Sequence, residues 1–168
     1  MLAAAALGPY PAQHQGTGAQ ATASAGVFAG TPFAVHSALV RYEIGKSCCP
    51  ARTIGDVDVY LFERAGVTCR TLDDARYKRN FSYTVETSGK RLPVGSPPPD
   101  SLFQQASFNV VGLTTGFQIG IRIVFSRIDT TPGARWHGSI MVPLMTYNGK
   151  TYSLAGTFAA RWCGTKGG

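Results

Sequence analysis

Apolar side chains alternate along much of this chain. Phe117, Ile119, Ile121, Ile123 and Phe125 are separated by Gln118, Gly120, Arg122, Val124 and Ser126. A β-strand turns successive side chains to opposite faces, so a period of two gathers aromatic and β-branched groups on one face of a sheet. The same period recurs where Phe33, Val35, Ser37 and Leu39 alternate with Ala34, His36, Ala38 and Val40. It returns at the start of Asp56–Phe62 and again at Phe81, Tyr83 and Val85. Only Thr71 to Lys78 reads as a helical turn, with Asp73 and Asp74 suited to its N-terminal dipole. There is no sustained heptad, no run of about 18 apolar residues and no fixed-period repeat, which excludes a coiled coil, a transmembrane helix and a solenoid.

The C-terminal third predicts a hairpin. Ser139 to Tyr147 and Thr151 to Trp162 are apolar-rich runs joined across Asn148-Gly149, a pair that accepts the positive φ angles of a type I′ turn. Pro143 predicts an edge strand or a bulge in the first arm, and Gly156 a bulge or a close backbone approach in the second. Gly45 to Gly55, Pro93 to Asp100 and Thr130 to Gly133 read as loops. Short strands separated by turn clusters predict an all-β fold, an antiparallel β-sandwich of Ig-like or jelly-roll-like type. A closed β-barrel is the alternative.

At 168 residues the chain suits one domain. Residues 1–25 lack Lys, Arg, Asp and Glu, and read as a flexible Ala/Gly/Gln-rich tail. Met1 to Leu7 and the A-x-A arrangement Ala23-Ser24-Ala25 also suit a signal-peptide remnant, although no positive n-region precedes them. The folded domain is expected over residues 26–168.

Cys69 follows the strand ending at Phe62, and Cys163 closes the last strand. A Cys69–Cys163 bridge is the expected disulfide, pinning a late strand to an early one. Cys48 and Cys49 are adjacent. They form a vicinal disulfide, pair with one of the other cysteines, or decorate a loop, and spacing does not choose. Disulfides belong to oxidising compartments, so the expected location is secreted, periplasmic or in the cell envelope, with a reduced cytoplasmic protein as the alternative.

No catalytic motif occurs. G-x-S-x-G, the P-loop, G-x-G-x-x-G and H-E-x-x-H are all missing. His36, Asp56, Asp58, Glu63 and His137 are the candidate acid–base groups. The histidines read first as structural or loop residues, and Asp56 and Asp58 as the solvated face of a strand. No metal site and no cofactor are expected. The net charge is +7, and all basic residues lie from Arg41 onward. Arg70, Arg76, Lys78, Arg79, Lys90 and Arg91 fall in one stretch with Tyr77, Phe81 and Tyr83 among them. Such a mixture suits an anionic surface, an acidic glycan or a protein partner. RNA-binding signatures are lacking, so nucleic acid is not the expected ligand.

Three pieces, Gly30 to Ala38, Asp58 to Phe62 with Cys69 after it, and Gly156 to Cys163, carry a resemblance. In them the chain resembles uncharacterised bacterial exported or lipoprotein-type β-sandwich domains. The resemblance implies export and a sandwich fold, and no particular activity. The chain departs from it in the Cys48-Cys49 pair and in lacking a lipobox. The expected function is an exported binding or envelope-structural module without catalytic activity. A hydrolase drawing its groups from separate strands is one alternative, and a viral or phage particle protein is another.

Overall fold

The computed structural model describes residues 23–48, 51–75, 79–86, 104–110, 113–117 and 121–167. The elements in chain order are β1 (Ala23–Phe28), β2 (Thr31–Ala34), β3 (Ser37–Cys48), β4 (Ala51–Phe62), α1 (Leu72–Ala75), β5 (Asn80–Glu86), β6 (Gln104–Val110), β7 (Leu113–Phe117), β8 (Arg122–Arg127), β9 (Arg135–Tyr147) and β10 (Lys150–Gly167). The protein is all-β, as its periodicity predicts, and α1 lies in the stretch expected to be helical.

Hydrogen bonds join the strands into one mixed, curled sheet that forms a half-barrel. The order is β2-β1-β10-β3-β4-β5-β6-β7, and β9 with β8 branches from β10. The branch arises because β10 is long enough to change partners. Its Tyr152 to Thr157 segment lies between β1 and β9, and its end, Arg161 to Gly167, pairs in parallel with β3. Backbone groups need partners along the whole strand, and β3 supplies them where β1 stops. The sheet is therefore not purely antiparallel. Nor does it close as a barrel, since β8 pairs only with β9 and β7 only with β6 among the described residues.

Both halves of the curled sheet face a common core. Phe28, Phe33 and Tyr152 pack on Phe108, with ring centroids 5.3, 6.3 and 5.3 Å away, and Phe81 lies 5.1 Å from Phe108. Each such ring, fully buried, contributes about 1.5–3 kcal/mol. A second cluster lies on the opposite face of β3 and β4, where Leu39, Tyr60 and Phe62 are covered by Leu72 and Ala75 of α1. These strands are thus buried on both sides, which is why apolar residues run continuously from Val59 to Phe62 instead of alternating.

The C-terminal hairpin is as predicted. Asn148 and Gly149 have φ of 48° and 71°, and Tyr147 pairs with Lys150. The register shifts by one between the Tyr152–Met145 and Leu154–Val142 pairs, so the ladder bulges beside Pro143. Gly156, at φ 138°, is a close approach: a Cβ there would stand 2.2 Å from the carbonyl oxygen of Ala23.

Other expectations are corrected. Gly45 to Gly55 is not a loop, because β3 and β4 pair through it as far as Cys48–Ala51. The Phe33–Val40 alternation is not one strand. Phe33 and Val35 face the core, then Ala38 and Val40 do, because the phase slips where β2 ends and β3 begins. Phe117 to Phe125 is likewise divided, with Phe117 ending β7 and Ile123 and Phe125 on β8. β1 begins at Ala23, ahead of the expected domain start, and the Ser24 hydroxyl donates to the Thr157 carbonyl.

Candidate functional site

After β4 the chain turns at Gly66, whose φ is 74°, and lays residues 67–75 over the second core. Leu72 is the anchor and is fully buried. The Val67 amide donates to the Ser37 hydroxyl, and Thr68 and Thr71 close a small turn between them. This path brings Cys69 against β10, where it is joined to Cys163 with Sγ–Sγ 2.03 Å and Cα–Cα 5.2 Å. The pairing expected from the sequence is the one observed. Cys48 ends β3, and its side chain, like Cys49, lies outside the described residues.

An open groove of about 540 Å³ lies beside this disulfide. One wall is Thr68, Cys69 and Arg70; the other is Arg161 to Gly164 of β10; Pro132 and Gly133 close the end. That end is set by local bonds. Asp129 accepts from the Thr131 amide, and its carbonyl accepts from Trp136 Nε1. Trp162 borders the groove, and its ring packs on the main core and stacks on buried Trp136, with centroids 5.2 Å apart and planes at 8°.

The groove is electropositive. Arg70 and Arg161 are exposed, and among the described residues that line it there is no carboxylate. Arg161 lies directly opposite Arg135 in the β9–β10 ladder. Side chains at such a position have Cβ atoms about 4.5–5.5 Å apart, and like charges there repel. Arg135 donates to the Ala159 carbonyl. Among the described residues, none of Arg70, Arg135 and Arg161 is ion-paired.

Among the described residues of the basic stretch 70–91, only Arg70 lines this groove. Arg76, Lys78, Lys90 and Arg91 lie outside the described residues. Arg79 is bound elsewhere. It pairs with Glu63 at 3.1 Å, donates to the Thr31 hydroxyl at 2.6 Å and the Pro32 carbonyl at 3.1 Å, and sits 4.8 Å from the Phe28 ring. Arg135 and Arg161 were not among the expected site residues. Counting outward from Asn148-Gly149, with one residue added for a bulge at Pro143, places them opposite each other.

A second charged cluster lies on the outer face of β3–β5. Arg41 is 5% exposed, bonded to Glu43 and, at 2.8 Å, to Asp73 of α1; its buried Nε has no acceptor among the described residues. Lys166 also meets Asp73, at 3.0 Å. Hydrogen bonds from Arg41 and Lys166 hold the Asp73 carboxyl down at about 2. Asp58, in register with Arg41, is only 7% exposed and accepts from the Thr84 hydroxyl. Burial, reinforced by Glu43 and Asp56, pushes its carboxyl up to about 6. The solvated-face reading therefore fails at Asp58.

The acid–base candidates do not converge. His36 is exposed beyond the Ser37–Phe62 pair, whereas Asp58 lies four positions along β4, about 13 Å away at the usual strand rise. His137 is on β9, separated from β4 by β10 and β3. Glu63 is taken by Arg79. Among the described residues no group of His, Cys, Asp and Glu is arranged to hold a metal ion, and no helix is long and apolar enough to cross a membrane.

No family model matches the chain, and neither a curated protein nor a solved structure matches it.

Proposed function

We propose that this chain is a binding module of an oxidising compartment, and that the groove beside Cys69–Cys163 takes oxyanion groups of an acidic ligand. The observation that carries the reading is that Arg70 and Arg161 stand on facing walls of the groove, with Arg135 opposite Arg161 in the adjoining ladder. A like-charge cross-strand pair opposes folding, and a bound carboxylate, sulfate or phosphate turns that repulsion into attraction. Guanidinium groups suit such ligands because their planar donors match oxyanion geometry. The volume falls within the range usual for ligand sites.

The disulfide supports the choice of compartment, since such bonds persist where thiols are not kept reduced. The aromatic contacts of Phe28, Phe33 and Tyr152 with Phe108 support reading the two halves of the sheet as facing layers of a sandwich that remains joined through β10.

Heparin, as a sulfated glycan probe, tests the binding reading on an affinity column, with phosphatidylserine vesicles as the lipid arm. The wild-type protein is expected to be retained on heparin and released by salt, and Arg161→Gln and Arg70→Gln to elute earlier. Vesicle binding without heparin retention would assign the site to lipid headgroups. Unchanged elution of both variants would reject the groove.

A further inference from the structure

The disulfide is part of the groove it borders. Cys69 precedes Arg70 on one wall, and Cys163 follows Arg161 by two residues on the other. The bond is thus the covalent tie between the two arginine-bearing walls. Both cysteines are half-buried and line an open groove, so a small thiol reaches them from solvent. Arg70 and Arg161 flank them, and neighbouring cations stabilise thiolate, which makes a cysteine a better leaving group in exchange.

The same loop is also held without the bond. Leu72 is buried in the second core, Asp73 is clamped by Arg41 and Lys166, and Val67 bonds Ser37. These anchors lie on either side of Cys69. Cleaving the disulfide therefore leaves the Thr68–Thr71 turn closed and the loop attached but removes the tie to β10, so that the spacing of Arg70 from Arg161 is no longer fixed covalently.

We propose that Cys69–Cys163 is a redox clasp, so that oxyanion binding in the groove depends on the oxidised bond. The proposal rests on the binding reading above. The step requires a dithiol reductant. Its thiolate attacks one cysteine sulfur and breaks the S–S bond, and its second thiol then closes the reductant to a cyclic disulfide. Cys69 and Cys163 are left as two thiols, having gained two electrons and two protons.

The test uses the full chain and a heparin octasaccharide. Binding is measured for oxidised protein, for protein reduced with dithiothreitol with the Cys69 and Cys163 thiols verified by mass mapping, and for reoxidised protein. Circular dichroism follows the fold. Reduction is expected to weaken binding about tenfold, the equivalent of one charge-assisted contact, with unchanged far-ultraviolet dichroism and recovery on reoxidation. Oxidised Arg70→Gln is expected to bind as weakly as the reduced protein and to be insensitive to dithiothreitol. Undiminished affinity with both thiols free would overturn the clasp alone and leave the binding site standing. Loss of the fold on reduction would make the bond a structural staple and overturn the clasp. Failure of the oxidised protein to bind would remove both readings.

Discussion

Arg135 and Arg161 face each other across the β9–β10 ladder, and among the described residues no carboxylate is ion-paired to either. This arrangement places a cost on the free protein. Replacing Arg161 with Gln removes the repulsion while keeping most of the stem. Without ligand, the variant is expected to be as stable as the parent or more stable, by about 0.2–1 kcal/mol, while anion binding falls. Urea denaturation at low ionic strength measures this, and a clear loss of stability would show that Arg161 serves the fold.

Asp58 makes a prediction with a definite sign. Its folded-state carboxyl is raised from 3.8 to about 6, so the folded protein holds this proton more tightly than the unfolded chain does. The stabilising effect of the protonated form is present below the unfolded value and is lost as pH rises through about 6. Asp58→Asn is therefore expected to be more stable than the parent at neutral pH, by on the order of 3 kcal/mol at most. The gain should shrink towards zero below about pH 4. Denaturation curves at several pH values decide it, and a gain that does not change with pH would contradict the argument.

Asp73 has the opposite sign. Its carboxyl is held at about 2, so the stabilising contribution is present above the ordinary carboxylate value and is lost as pH falls towards about 2. The side chain is half exposed, at 51%, and solvent screens the pair with Lys166. Asp73→Asn should cost about 0.5–1 kcal/mol at neutral pH, with the difference fading in acid. The pair Asp58→Asn and Asp73→Asn thus separates two carboxyls that share Arg41 as a neighbour.

Arg79 binds the β1–β2 hairpin to Glu63 through contacts that only a planar guanidinium makes together. Arg79→Lys retains the charge but loses the fork and its stacking on Phe28. A loss of about 1–2 kcal/mol is expected, read as a lower urea midpoint at constant slope. Stability equal to the parent would mean that charge alone suffices there.

Local chemistry made much of the fold readable from the chain. Asn148-Gly149 predicts its turn because few pairs accept two positive φ angles, and Pro143 predicts a bulge because it cannot donate to a ladder. Features set by distant partners were not readable in this way. The parallel pairing of β10 with β3 depends on where β1 happens to stop. The burial of Asp58 depends on Arg41 and Thr84 coming from neighbouring strands. At His36 the side-chain period continues in the sequence while the backbone breaks. Clustering along the chain is also a poor guide to the site. Arg79 lies close to Arg70 in sequence but far from its groove in function, whereas Arg135 and Arg161 meet only once the hairpin register is known.

Trp162 gives the most direct measurement of the central claim, because it sits between Arg161 and Cys163 in the groove wall and is one of only two tryptophans. Its fluorescence, titrated with heparin octasaccharide at increasing salt, is expected to change saturably, with affinity falling as salt rises. Arg161→Gln and Arg70→Gln should each weaken binding about tenfold, and Trp162→Phe should remove most of the signal. A titration without saturable change, or one that salt and both arginine substitutions leave unaltered, would contradict the assignment of this groove as an oxyanion site.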